Sequence, residues 1–140
     1  MIGVTEARPV RAVIADDFPF LRRVMRDVLQ SESGVEVIGE AESFEEVLHK
    51  VSYWQPHLLI LDIGLVAGPR VDGLAQIREL SPATRIVLAG DENSPEYAET
   101  TRDWGCFKYL YKADFLGGVR ELIDELQVLT ESGARADRPA

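Results

Sequence analysis

The sequence predicts an α/β fold, a doubly wound parallel sheet of five strands, and two observations carry this. Strand-like and helix-like segments alternate five times along 140 residues, and short connections with right-handed crossovers allow few other layouts. The strand candidates include short continuous apolar runs, such as Ile86-Val87-Leu88-Ala89, the pattern of strands covered on both faces.

Met1 to Pro9 read as a loose leader. Val10 to Ala15 form the first strand and Asp16-Asp17-Phe18-Pro19 the turn after it, with Pro19 suited to a helix's first turn. Leu21, Val24, Met25, Val28 and Leu29 recur at helical spacing up to about Ser31, and Ser33-Gly34 ends that helix. Val35 to Ala41 alternate as an edge strand. Ser43 with Glu46 three residues on is a capping-box signature for a second helix through about Val51, broken by Gln55-Pro56.

His57 to Asp62 is the third strand, and Ile63 to Val71 a long loop. After Asp72-Gly73, Leu74, Ile77 and Leu80 mark one face of a third helix, stopped by Ser81-Pro82. Arg85 to Gly90 is the fourth strand. Pro95 opens a fourth helix to about Trp104, ended by Gly105. Phe107 to Tyr111 is the fifth strand, and Asp114 caps a last helix lined by Val119, Leu122, Ile123, Leu126 and Leu129. The folded unit is expected over 10–130, with Glu131 to Ala140 as a flexible tail or linker stub.

This length suits one domain with a sizeable core. The formal net charge of −9 argues against direct nucleic-acid binding, because phosphates would repel the chain. It favours a cation ligand or a basic partner patch. Cys106 is the only cysteine, which excludes an internal disulfide and a multi-cysteine metal site; a small buried side chain is expected there. Neither a signal-peptide pattern nor a bilayer-length apolar stretch occurs, so a cytoplasmic location without membrane contact is expected.

Asp16 and Asp17 close the first strand, and Asp62 closes Leu58-Leu59-Ile60-Leu61. A single Asp there commonly serves as a helix N-cap. In open α/β sheets, however, ligands bind beyond the carboxyl ends of strands. If these two strands are neighbours, three carboxylates share one pocket and need a cation to neutralise them.

Val13-Ile14-Ala15-Asp16-Asp17 before a helix, Leu58 to Asp62 after Pro56, and Tyr109-Leu110-Tyr111-Lys112 resemble the receiver domain of bacterial two-component response regulators, over roughly residues 10 to 128. The resemblance implies a flavodoxin-like (βα)5 fold with strand order 2-1-3-4-5. It implies phosphoryl transfer from a histidine kinase or phosphotransfer protein, with Mg²⁺, and it leaves room for a homodimer. By position, Asp62 would be the phosphoacceptor. Asp17 would bind Mg²⁺ directly, Asp16 directly or through water, and the Gly64 carbonyl would complete the shell. Lys112 would pair with the phosphoryl oxygens, and Tyr109 matches the aromatic switch. Such a chain is a signalling phosphoacceptor, not an enzyme with a separate substrate, although it can catalyse its own phosphorylation and dephosphorylation.

Two departures stand out. Ala89 occupies the strand-four position where the family has Ser or Thr, and Thr84 and Ser94 are each five residues away. The loop after Asp62 reaches Asp72-Gly73 about three residues later than usual, and its proline is displaced to Pro69. These departures favour an alternative, a pseudo-receiver that acts as an interaction module without phosphorylation; the retained Asp16, Asp17, Asp62 and Lys112 oppose it, and the phosphoacceptor is the expected reading. A haloacid-dehalogenase-type hydrolase would want a second Asp where Gly64 stands, and neither phosphate-binding glycine motif of nucleotide-binding folds occurs. Partner docking is expected at Phe18 and Phe20, which flank Pro19 off the apolar stripe, helped by the charges of Arg22, Arg23 and Arg26.

Overall fold

The computed structural model describes residues 9–66 and 72–136, with side chains through residue 127. Five strands, β1 (Val10–Ala15), β2 (Val35–Ala41), β3 (Leu58–Asp62), β4 (Arg85–Gly90) and β5 (Lys108–Tyr111), alternate with five helices. The helices are α1 (Pro19–Ser31), α2 (Phe44–Trp54), α3 (Gly73–Leu80), α4 (Pro95–Asp103) and α5 (Phe115–Ala136). All strand pairs are parallel, in the order β2-β1-β3-β4-β5. This is the flavodoxin-like order, with β2 on an edge.

The apolar runs are buried on both faces, as double winding requires. On one face Ile14, Ile60 and Val87 pack against Met25 and Leu29 of α1 and Val119, Leu122 and Leu126 of α5. On the other, Val13, Leu59, Leu61 and Leu88 pack against Val47 and Val51 of α2 and Leu74 and Ile77 of α3. Cys106 lies in this second layer, where burial raises its thiol pKa.

Local chemistry sets the boundaries. Pro19 takes the first position of α1. The Ser43 hydroxyl accepts from the Glu46 amide, and the Glu46 carboxylate accepts from the Glu42 amide, so the box closes one residue earlier than the standard pattern. α2 runs a turn past Val51, to Trp54, because Gln55 supplies the left-handed cap (φ 47°). Glycine is the usual residue there; Gln55 compensates by donating to the carbonyls of Val51, Ser52 and Leu80. Gly105, at φ +81°, ends α4's turn as expected.

Several expectations need correction. β3 and β5 each start one residue later, at Leu58 and Lys108. The loop after Asp62 begins with a 3₁₀ turn, Ile63–Leu65; its remainder at 67–71, including Pro69, lies outside the described residues. Val24 and Leu80 are exposed rather than in the core. Asp114 stands directly before α5, which begins at Phe115, as expected of its cap, and is also the last residue of a 3₁₀ turn, Lys112–Asp114. α5 continues to Ala136, so the expected tail from Glu131 is helical for six residues. The leader at 1–8, the residues 137–140 and the Leu129 side chain lie outside what is described. No helix among the described residues is long and apolar enough to cross a membrane.

Candidate functional site

Neighbouring strands bring the acids together. β1 pairs with β3 through Ala15↔Leu61, so Asp16 and Asp62 emerge side by side at the carboxyl end of the sheet. One carboxylate oxygen from each of Asp16, Asp17 and Asp62 lies within 4.8 Å of the others. Asp16 is fully buried, Asp62 partly buried and Asp17 exposed. From the end of β5, the Lys112 ammonium donates to Asp16 Oδ2 and Asp62 Oδ1, each at 2.7 Å. Because β4 separates β3 from β5, this side chain crosses the end of β4 to reach Asp62. Among the expected site residues, these four share one pocket.

Three carboxylates and one ammonium leave two negative charges, the deficit that one divalent cation fills. Burial raises the Asp62 pKa, and the nearby charges of Asp16 and Asp17 add to this against the pull of Lys112. Burial disfavours the Lys112 charge too, yet its bonds to Asp16 and Asp62 prevail and hold its pKa above the ordinary lysine value. Hard oxygen donors with one exposed carboxylate fit Mg²⁺. Gly64 follows in the 3₁₀ turn, and a Cβ there would approach Asp62 Oδ2 to 3.0 Å. A side chain there would press on that Asp62 oxygen, so glycine leaves it uncrowded.

The β4 side of the pocket differs. Ala89 is buried and pairs in register with Asp62 and Leu110, so a methyl group stands at the strand position next to Asp62. Thr84 cannot substitute: it is at the other end of β4, bonded to Ser81 and the Pro56 carbonyl. Ser94 caps α4 through the Glu96 amide. Tyr109 packs on Tyr97 with ring centroids 5.5 Å apart and donates its hydroxyl to the Glu92 carbonyl at 2.8 Å. Its oxygen lies over Gly90, where an added Cβ would be 2.5 Å away. The aromatic side chain thus ties the β4–α4 loop directly.

At the start of α1, Phe18 and Phe20 are 57% and 70% exposed, and their rings are 6.5 Å apart. Val24 stands one turn beyond Phe20 and is also exposed, extending this apolar flank. Two of the three arginines are engaged locally: Arg22 and Arg26 both pair with Glu40. Sequence reasoning assigned Glu40 no part. An acid inside the alternating strand β2 was its only local signal.

A family model described as the response regulator receiver domain matches residues 12–124. The chain is 36% identical over 146 aligned positions to protein-glutamate methylesterase/protein-glutamine glutaminase 5 of Myxococcus xanthus, covering 97% of this chain and 40% of that relative. It thus spans well under half of that protein. Among solved structures, the response regulator domain of Thermotoga maritima CheB is similar, with a TM-score of 0.69 at 22% identity over 86% of this chain and 95% of that one. CheY6 from R. sphaeroides, solved in complex with the P1 domain of CheA3, aligns with a TM-score of 0.75 at 18% identity, covering 87% and 99%. At such identities the structural matches speak for the fold alone.

Proposed function

This chain belongs to the response regulator receiver domain family, a signalling module of two-component systems, and on that premise we propose that Asp62 is its phosphoacceptor. The observation that supports this best is the Lys112 ammonium, 2.7 Å from both Asp16 and Asp62 beside a cluster of three carboxylates. A carboxylate oxygen of Asp62 attacks phosphorus, the new O–P bond forms, and the bond from phosphorus to the donor's leaving group breaks. Asp16, Asp17, Asp62 and the Gly64 carbonyl would hold Mg²⁺, which would supply charge neutralisation at the phosphoryl oxygens. Lys112 turns from Asp62 toward those oxygens as negative charge builds there. Its bond to buried Asp16 keeps the ammonium at that edge of the pocket.

The donor in this reading is a histidine kinase or phosphotransfer protein in the cytoplasm. The exposed flank of Phe18, Phe20 and Val24 beside the pocket is where it docks. In the R. sphaeroides complex a receiver-type chain is bound to the P1 domain of a CheA protein, a partner of that class.

The test is intact-mass measurement after incubation with Mg²⁺ and a small phosphodonor such as acetyl phosphate, then with kinase. One added phosphoryl group is expected, and Asp62→Asn abolishes it. A wild-type protein that stays unmodified with both donors would establish the pseudo-receiver instead.

A further inference from the structure

We propose that Arg22 is a positioning residue for the acidic pocket, aimed by Glu40, and that this pair sets Mg²⁺ affinity without touching the ion. The proposal rests on the Mg²⁺ site above. The Arg22 guanidinium donates through Nη1 to the main-chain carbonyl of Asp16 at 2.8 Å. That carbonyl belongs to the peptide unit joining Asp16 to Asp17, so the bond fixes the plane from which the Asp17 carboxylate extends. Two other bonds pin this turn, from the Asp16 amide to the Ala41 carbonyl and from the Phe18 amide to Asp16 Oδ1. Lys112 bonds the Asp16 carboxylate as well, but Arg22 is the side chain that bonds the turn's main chain.

Glu40 aims the guanidinium. Its Oε1 accepts from Arg22 Nε at 2.9 Å, and its Oε2 accepts from Arg26 Nη1 at 2.7 Å. A rigid planar fork can serve two acceptors in different directions in this way, whereas a lysine offers a point charge. An ion pair at a partly exposed surface adds little stability. Its value here is directional.

A sheet irregularity delivers Glu40 to this place. The β1–β2 register slips between Ala12 and Val13, so Ala12 pairs with Val37 but Val13 pairs with Gly39. Ile38 is the extra residue of a bulge. Val37 packs in the α1–α5 layer and Ile38 against the α2–α3 layer. A Cβ on Gly39 would meet Val13 and the α2 residue Lys50, on the same side as Ile38. Glu40 therefore returns to the α1 side; strict alternation from Gly39's place without the slip would have turned it toward α2. Bulges commonly re-aim one side chain beside a functional site, and this one aims Glu40 at Arg22 and Arg26.

The experiment compares the wild type with Arg22→Ala, Arg22→Lys and Glu40→Gln. Mg²⁺ is titrated by amide chemical shifts, and the metal-free proteins are followed by thermal melts and hydrogen exchange at the Phe18 amide. Loss of an outer partner of a metal ligand typically weakens affinity about 10-fold or more, the change expected for Arg22→Ala. Smaller changes are expected for Arg22→Lys and Glu40→Gln, with metal-free melting close to wild type in all three and faster Phe18 exchange in Arg22→Ala. Unchanged Mg²⁺ affinity in a folded Arg22→Ala protein would overturn the proposal. So would a loss of affinity matched by an equal loss of metal-free stability and undiminished in Arg22→Lys. If the wild type binds no Mg²⁺, the metal site itself fails and this proposal fails with it. Wild-type binding with no effect of the variants sinks the proposal alone.

Discussion

At the ends of β1 and β3, Asp16 and Asp62 are each bonded to Lys112, which reaches them from the end of β5, whereas the β4 residue in register with Asp62 is Ala89, which carries a methyl group alone. The first region supplies the charges on which the proposed cation binding and phosphoryl capture rest. The second lacks the Ser or Thr hydroxyl that the family has there, the contact we propose would carry that event to the β4–α4 loop. Instead, Tyr109 already holds that loop through the Glu92 carbonyl. Capture and transmission are separable chemical tasks: one needs charge beside the acceptor, the other needs a contact that differs between two states.

The largest effect on the charged region is expected from Lys112→Met. The lysine and Asp16 side chains are 9% and 1% exposed, so the change leaves buried carboxylates without their cation. Breaking one side of a buried pair costs about 3–5 kcal/mol, measurable by denaturant unfolding of the metal-free protein. Mg²⁺ should recover part of this loss while phosphorylation stays impaired. Full wild-type stability without metal would show that Lys112 is not the charge that holds the pocket together.

Mg²⁺ should raise the wild-type melting temperature, because binding to the native state alone stabilises it by about 2.7 kcal/mol at roughly 100 times Kd. Asp17→Asn should reduce that increment at a fixed Mg²⁺ concentration. The pH dependence has a definite sign. Asp62 has its pKa raised from 3.8, so its favourable contribution to the metal-free fold is present below 3.8. That contribution is lost as pH rises through the raised folded value. Metal-free Asp62→Asn should therefore gain on the wild type across that window, and Mg²⁺ affinity of the wild type should fall as pH drops through it. A melt unaffected by Mg²⁺ in both wild type and Asp17→Asn would contradict a metal site.

Docking sharpens the comparison from outside the pocket. Phe20→Ala should slow phosphotransfer from a kinase several-fold, in line with about 1–2 kcal/mol for an exposed aromatic anchor. Small-donor phosphorylation should be unaffected. Equal loss in both assays would mean that Phe20 supports the pocket's structure.

The difference between the two regions also marks what a sequence can reveal. Apolar runs ending in Asp16-Asp17 and Asp62 announce buried strands with acids at their carboxyl ends, and Lys112 follows the last strand in the same way. Those signals are local. Glu40 was illegible because its side of the sheet depends on a one-residue slip against β1, and the local apolar pattern of β2 does not encode that slip. Gln55 was read as a helix break; its left-handed cap depends on reaching the Leu80 carbonyl across to α3. Tyr109 matches the family's aromatic position, but its hydrogen-bond acceptor is a main-chain carbonyl, which every residue possesses and no residue type announces. Contacts between distant segments, not residue types, decide these features.

Amide chemical shifts of Asp62's neighbours and of Tyr109, recorded with and without a phosphoryl analogue and Mg²⁺, test the separation of capture from transmission most directly. A hydrogen bond to a charged group contributes about 1.5–3 kcal/mol, and Ala89 cannot make one. The wild type should therefore show large changes around Asp62 and small ones at Tyr109, and Ala89→Thr should enlarge the Tyr109 response. A full-sized Tyr109 response in the wild type, unchanged in Ala89→Thr, would contradict this and show that phosphorylation reaches the β4–α4 loop without the missing hydroxyl.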